Sequence, residues 1–243
     1  MAGKRAIEQS GAAWLNQSLS LLPEPVSVMS PTPSPLTPKG QRRRHAILTA
    51  AADVFILHGY EGTTLDMIIE QSGGSRSTLY TSFGGKEALF LAVIDHLISG
   101  IFEDNEDNEE EEPETATDAE TLLYTSGRRY LNSIVHPQSL GLYQLILAES
   151  QRFPQISEQF YRAGPLRAAQ QLAAGLKTLP GIAASEETLL AVAARFLEML
   201  KADLYLPVFS HQHKKPTAEF IEKQLPLSVE ITACYLRHKL TPQ

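Results

Sequence analysis

Apolar residues recur at helical spacing along most of the chain, and glycine or proline residues separate the periodic segments. No run of alternating β-branched residues predicts a strand, so we expect an all-α fold. Pro165 and Pro226 fall inside predicted helices, and we expect each to kink or break its helix. The predicted helices cover about residues 42–58, 64–72, 75–83, 86–101, 118–136, 139–152, 155–178, 185–206 and 216–239.

Two segments interrupt the helical pattern and divide the chain into domains. Residues 1–39 include six prolines between positions 23 and 38, which predicts a disordered tail. A second break, at 103–117, predicts an acidic linker. The remaining parts are a trihelical domain at 40–86, a connecting helix at 87–102 and a helical bundle at 118–240.

The charge of the chain is distributed unevenly. Nine acidic side chains and no basic one lie in residues 103–114, so the rest of the chain carries a net charge of +2 although the total is −7. Binding partners must therefore be inferred from local charge. Calcium is the alternative for the acidic run, but the run lacks the glycine and the ordered Asp/Asn alternation of a calcium loop. We predict a solvated linker there.

Several classes of protein are excluded by what the sequence lacks. Cys234 is the only cysteine, so we expect no intrachain disulfide and no cysteine metal cluster. The histidines have no partners at metal-ligand spacing, and no nucleophile elbow or phosphate-binding loop is present. We predict no enzyme activity, no metal and no cofactor. Without a membrane span or a secretory signal, we expect no membrane association and a cytoplasmic protein.

The trihelical domain has the pattern of a helix-turn-helix. Helices this short bury their few apolar residues against one another, and in this motif the second helix of the pair enters the major groove of DNA. The pair here is 64–72 and 75–82. The second helix is rich in short or rigid hydrogen-bond donors, whereas Leu79 and Phe83 recur at core spacing. A plain helical hairpin with a polar face is the alternative.

Specific DNA contacts follow from side-chain chemistry. Arg76 suits a bidentate contact with guanine, and Tyr80 and Lys86 suit phosphates. Lys39, Arg42, Arg43 and Arg44 form a basic arm before the first helix, and this arm can reach phosphates or a minor groove. The alternative is a solvated basic cluster. Thr63 with Asp66 resembles a capping box. The predicted DNA-binding residues are Arg42, Arg43, Arg44, Thr63, Thr64, Ser75, Arg76, Ser77, Thr78, Tyr80, Thr81 and Lys86.

Three motifs in this region resemble the N-terminal signature of TetR-family regulators: residues 59–65 (GYEGTTL), 73–80 (GGSRSTLY) and 83–89 (FGGKEAL). Residues 148–154 (AESQRFP) and 160–165 (FYRAGP) are similar to the AefR-like branch of that family. The resemblance implies a homodimer that pairs through its last two long helices and binds a palindromic operator. It also implies a C-terminal ligand that changes the separation of the two reading heads, and a link to multidrug efflux.

Two apolar stripes of the last helices are compatible with such a dimer, although each could equally be intrachain core. The predicted interface residues are Val192, Phe196, Leu200, Leu227, Ile231 and Cys234. Aromatic and flexible apolar residues indicate a ligand pocket, with ordinary core packing as the alternative. The predicted pocket residues are Tyr130, Tyr143, Leu147, Phe153, Phe160, Tyr161, Phe196 and Met199. Glu149 and Arg152 are candidate polar anchors or surface residues.

These observations predict a ligand-responsive repressor with three partners: a double-stranded DNA operator, a second copy of the chain and a small apolar or phenolic inducer. The alternative function is a helical protein-interaction module that does not bind DNA. The basic arm and the polar third helix favour the repressor. A mobility-shift assay with the neighbouring promoter distinguishes the two, since only the repressor binds the duplex.

Overall fold

The computed structural model describes residues 37–102, 116–202, 204 and 218–239. The described regular elements are helices, with no strand among them, so the predicted all-α fold is confirmed. They are α1 Pro38–Gly62, α2 Leu65–Ser72, α3 Arg76–Phe83, α4 Lys86–Phe102, α5 Ala119–Val135, α6 Pro137–Glu149, α7 Pro154–Tyr161, α8 Arg167–Thr178, α9 Glu186–Leu200 and α10 Ala218–Lys239. The predicted tail up to residue 36 and the acidic run at 103–115 lie outside the described residues.

The chain divides into two compact units. The N-terminal unit contains α1 to α4 together with residues 137–160, which include α6 and nearly all of α7. The C-terminal unit contains α5, α8, α9 and α10. The sequence places one domain boundary at residue 118 and assigns everything beyond it to one bundle, whereas the contacts group 137–160 with the N-terminal helices.

Side-chain caps set where several helices begin. The side chains of Thr64, Ser75, Asp118 and Ser185 each accept a hydrogen bond from the backbone N–H three residues later, which satisfies a donor that the first turn leaves unpaired. The predicted cap at Thr63 is wrong by one residue, because the hydroxyl of Thr64 caps Met67 N. The residue that caps α2 is therefore the one directly after the expected residue.

The two prolines inside predicted helices behave differently. Pro165 lies in a π-helical turn, Arg162–Leu166, that separates α7 from α8, so the predicted interruption is confirmed. Pro226 lies inside α10, and the helix continues through it. Pro226 therefore does not break its helix, and of the two expected outcomes only the kink stays a prediction.

Each unit has its own core. In the N-terminal unit, the ring of Phe90 lies 5.1 Å from that of Phe55 and 5.0 Å from that of Tyr60, and Phe153 lies 5.0 Å from Tyr60. In the C-terminal unit, α5 packs closely on its neighbours at Gly127. A Cβ there would lie 2.7 Å from Leu225 Cδ1 and 2.9 Å from Phe196 Cζ. Both cores thus join helices that are distant in sequence.

Candidate DNA-binding surface

A tight glycine turn joins α2 to α3. Gly73 and Gly74 have φ of 73° and 97°, a region that residues with a Cβ rarely adopt. Gly73 N donates to Ile69 O at 2.7 Å and closes α2, and Ser75 Oγ then accepts from Thr78 N at 3.2 Å and opens α3. Two helices joined by so short a turn have the geometry of a helix-turn-helix.

One face of α3 is buried and the opposite face is exposed. Leu79 is only 1% exposed and Phe83 is also buried, so these two residues hold the helix against its unit. The exposed residues of α3 and its cap are Ser75, Arg76, Ser77, Thr78, Tyr80, Thr81 and Ser82. The predicted base-reading residues are therefore accessible to a duplex, and they carry the donor groups that phosphates and base edges accept.

Arg76 has a partner that the sequence analysis did not identify. Its Nε donates to Asp66 Oδ1 at 2.7 Å and its Nη2 donates to Asp66 Oδ2, so the two side chains form a bidentate ion pair. The hydrogen bond from Arg76 holds the pKa of the Asp66 carboxyl below its usual value. Asp66 lies in the first turn of α2 and Arg76 is the first residue of α3.

The basic arm is not separate from the first helix, which corrects the sequence prediction, because Arg42, Arg43 and Arg44 all lie in α1. Two of these three arginines bind helix ends in their own unit. Arg43 donates to Ser72 O at 2.7 Å and to Gly73 O, at the C-terminus of α2. Arg44 donates to Ser82 O at 3.4 Å, and its guanidinium lies 4.4 Å from the Phe83 ring centre. Carbonyl groups at a helix C-terminus favour cations. Arg43 and Arg44 therefore bind the C-terminal ends of α2 and α3, whereas Arg42 is exposed.

Thr63 is not a DNA contact in this structure, which corrects the sequence prediction. The residue is 1% exposed, and its hydroxyl donates to Gly59 O at 2.7 Å and to Val54 O at 3.4 Å. A buried hydroxyl with these partners cannot reach a phosphate. Thr64 is exposed and caps α2, so its position at a helix N-terminus remains suited to one.

Lys86 and two residues near the end of α6 surround Tyr60 in the N-terminal unit. Lys86 Nζ lies 4.5 Å from the Tyr60 ring centre and donates to Glu61 O at 3.3 Å. Arg152 lies over the same ring at 4.4 Å and pairs with Glu61. Glu149 Oε1 accepts from Tyr60 N at 3.2 Å. Glu149 and Arg152 therefore bind the end of α1, and Arg152 is an exposed surface residue, which was the alternative to a ligand anchor.

The predicted pocket residues belong to both units. Tyr143, Leu147, Phe153 and Phe160 lie in the N-terminal unit, and Tyr130, Tyr161, Phe196 and Met199 lie in the C-terminal unit. Phe153 and Phe196 are buried in their respective cores, and Leu147 is exposed. A groove of about 450 Å³ between α5 and α10 contains none of the predicted residues. Its lining is Glu120, Thr121, Tyr124, Thr125, Pro226, Val229 and Glu230.

The predicted dimer residues divide into buried and exposed groups. Phe196 and Leu200 are fully buried within the C-terminal unit, and Val192 packs against the same core. Phe196 and Leu200 therefore cannot contact a second subunit directly, which corrects the prediction for α9. On α10, Leu227 is 56% exposed, Ile231 is 49% exposed and Cys234 is also exposed. This face of α10 is available for association.

Within the described helices, none is long and apolar enough to cross a membrane. The described residues also bring together no group of three or more metal-binding side chains.

Two family models match the chain. A model of bacterial regulatory proteins of the TetR family matches residues 47–93, which include α2 and α3. A model of the C-terminal domain of AefR-like transcriptional repressors matches residues 121–235. Together the two models cover most of the part of the chain in which the sequence predicts helices.

Curated relatives match a short part of the chain. The transcriptional repressor ComR of Escherichia coli K12 is 46% identical over 55 residues, which is 23% of this chain and 26% of ComR. The transcriptional activator FasR of Mycolicibacterium smegmatis is 40% identical over 63 residues, 24% of this chain and 29% of FasR. The chain thus spans about a quarter of the length of the curated relatives that it matches.

Solved structures match over a larger part of the chain. The flavonoid-responsive regulator FrrA is 25% identical, with a TM-score of 0.60, over 79% of this chain and 95% of FrrA. A TetR-type regulator from Mesorhizobium loti is 24% identical, with a TM-score of 0.61, over 80% of this chain and 96% of that one. The second likeness concerns the fold alone.

Proposed function

Because the chain belongs to the TetR family of DNA-binding transcriptional regulators and has an AefR-like C-terminal domain, we propose that it is a ligand-responsive repressor. In this proposal the chain binds a palindromic operator as a homodimer in the cytoplasm, and a small apolar or phenolic inducer releases it. Repression results from an operator that overlaps a promoter. Membership of a family of regulators also supports the expectation that the chain is not an enzyme.

The observation that carries the proposal is the asymmetry of α3. Its apolar residues Leu79 and Phe83 are buried, while the donors of Arg76, Thr78 and Tyr80 are exposed on a helix that a glycine turn joins to α2. A helix in the major groove needs such a polar outer face and an anchored inner face. A protein-interaction helix of this length would instead expose apolar anchors.

A mobility-shift titration tests DNA binding. Full-length protein should shift the promoter beside its own gene at low salt, and the affinity should fall steeply as salt rises because counterions are released from phosphates. Thr81→Val serves as a probe of the outer face, since it removes one exposed donor and keeps the shape. An equal affinity for the promoter and for unrelated duplex of the same length would contradict operator recognition.

We propose that α10 forms the dimer interface through its exposed apolar face. Leu227 and Ile231 are four residues apart and so lie on one side of the helix, and Tyr235 continues this side. Leu227→Glu should convert a dimer into a monomer in sedimentation-velocity measurements. Gln171→Glu, at an exposed position on α8 of the same unit, is the control and should leave the dimer intact. A monomeric wild-type protein would contradict this proposal.

We propose a phenolic or similarly apolar inducer, partly because FrrA, one of the similar structures, is a flavonoid-responsive regulator. We further propose that residues 40–240 are most similar to the efflux repressor NalC, and on this ground that the targets are efflux or stress genes. The test is release of a fluorescent operator duplex by a flavanone, with choline at equal concentration as a polar comparison. Release by choline and not by the flavanone would contradict the proposed ligand class.

A further inference from the structure

Asp66 and Arg76 form one geometric unit across the helix-turn-helix. The carboxylate accepts two parallel hydrogen bonds from one side of the guanidinium, through Nε and Nη2. Both side chains are mostly exposed, at 62% and 67%, so the pair lies at the surface that carries the base-reading residues. Exposed ion pairs add little to the stability of a protein. A pair this exposed has a small effect on the fold and is in the right place to act on the recognition surface.

The pair occupies one edge of Arg76 and leaves another edge available. A guanidinium is planar and carries five N–H groups in a fixed arrangement. Asp66 accepts from Nε and from one hydrogen of Nη2. The other hydrogen of Nη2 and a hydrogen of Nη1 form a second parallel pair at the end of the side chain. Guanine O6 and N7 accept such a pair in the major groove.

We propose that Asp66 is a positioning residue for base recognition: it holds Arg76 as a preformed fork whose end reads a guanine of the operator. This inference rests on the proposed function and adds a specificity-determining residue to it. An unpaired arginine samples many rotamers and loses that freedom on binding, whereas a held fork has already lost part of it. Asp66 thus raises discrimination at one base pair without contacting the base.

Neutralisation of Asp66 affects DNA binding in two ways, through the general attraction to phosphates and through the positioning of Arg76, and the two effects differ in their consequences. Near phosphates an acidic side chain is repulsive, so its neutralisation alone should strengthen binding to any duplex. Loss of positioning should instead weaken the preference for one guanine. Since Arg76 lowers the pKa of the Asp66 carboxyl, the carboxyl stays ionised at the neutral pH of the assay.

The experiment selects duplexes from a random pool with full-length wild-type protein and then measures competition by single-base variants of the selected site. Asp66→Asn removes the charge and keeps the shape, but an amide has a single acceptor oxygen and so cannot accept the two parallel hydrogen bonds from Nε and Nη2 on two separate atoms. Glu70→Gln is the control, because Glu70 is exposed on the same helix and the change removes the same charge. Arg76→Ala identifies the base pair that Arg76 reads.

We expect Arg76→Ala and Asp66→Asn to lose preference at the same guanine, with a loss of roughly 10-fold for Asp66→Asn and none for Glu70→Gln. The affinity of Asp66→Asn for unrelated duplex should be retained or increased, which shows that it is folded. The inference is overturned if Asp66→Asn keeps the guanine preference, if Glu70→Gln changes it equally, or if Arg76→Ala changes no position. If wild-type protein enriches no sequence at all, the proposed function fails first.

Discussion

Replacement of Arg43 should destabilise the protein, whereas replacement of the neighbouring Arg42 should not. The structure gives the two residues different partners although they are adjacent in the basic arm. Arg43 donates to Ser72 O and Gly73 O at the end of α2, and Arg42 is exposed. We choose methionine for each replacement, because its helix propensity is close to that of arginine and its stem retains the apolar contacts.

The magnitude follows from the two hydrogen bonds of Arg43. Hydrogen bonds to charged groups stabilise by about 1.5–3 kcal/mol, and the partly buried bond to Ser72 O falls in the lower part of this range. The bond to Gly73 O is exposed and competes with water, so we assign it about 0.5 kcal/mol or less. Arg43→Met should therefore lower the free energy of unfolding by about 2 kcal/mol. For a chain of this length that corresponds to a fall in Tm of about 4–8 °C.

Arg44→Met should give an intermediate loss of about 1 kcal/mol, because Arg44 combines one long hydrogen bond with a cation–π contact to Phe83. The assay is thermal unfolding at one protein concentration, since association of subunits makes Tm depend on concentration. Salt titration of DNA binding completes the comparison. Arg42→Met should lower the slope of log affinity against log salt by about 0.9, the value for one lost phosphate contact. Equal Tm values for all three variants would refute this division of roles.

Three further predictions concern burial and ionisation. Thr232→Val should raise the free energy of unfolding by about 1 kcal/mol in urea titrations, because Thr232 Oγ1 is buried without a partner. The control is Thr125→Val, at an exposed hydroxyl that donates to Thr121 O, and it should give no gain. Gly127→Ala should lower the free energy of unfolding by about 1 kcal/mol. The new Cβ would lie 2.7 Å from Leu225 Cδ1, and this clash destabilises more than the better helix propensity of alanine stabilises. Gly175→Ala is its milder comparison, with Leu122 Cδ2 at 3.1 Å from the new Cβ. Burial raises the pKa of Tyr60 above 10.0. Tyr60 therefore stabilises the fold below pH 10, and this stability is lost as the pH rises further. Tyr60→Phe should flatten the decline in Tm above pH 10, and an unchanged decline would contradict the shift.

Local signals in the sequence were sufficient for the helix-turn-helix. The glycines at 73 and 74 and the cap at Ser75 act within three or four residues, so the turn and the beginning of α3 could be predicted from the sequence. Thr63 shows how narrow such a signal is. Two adjacent threonines both fit a cap, and only the packing of Thr63 against Gly59 O assigns the role to Thr64.

Contacts between distant residues could not be predicted in the same way. Arg43 and Ser72 are 29 residues apart, and a basic cluster in a sequence does not show which arginine turns toward a helix end. Periodicity had a similar limit at α9. It predicts an apolar stripe at Phe196 and Leu200 but not whether the same chain or a second copy covers it. The pair of Asp66 and Arg76 could have been predicted, because an acidic residue in the first turn of α2 is followed by a basic residue at the first position of α3.

Amide hydrogen exchange of the full chain shows whether α3 binds in the groove of DNA. The first N–H groups of α2 and α3, over residues 64–67 and 75–78, lack helical partners and exchange quickly in the free protein unless a cap protects them. With a selected operator duplex, we expect slower exchange concentrated at 64–86, and no such change with unrelated duplex at the same salt concentration. If protection is absent from α3, or is equal for operator and unrelated DNA, α3 does not recognise the operator.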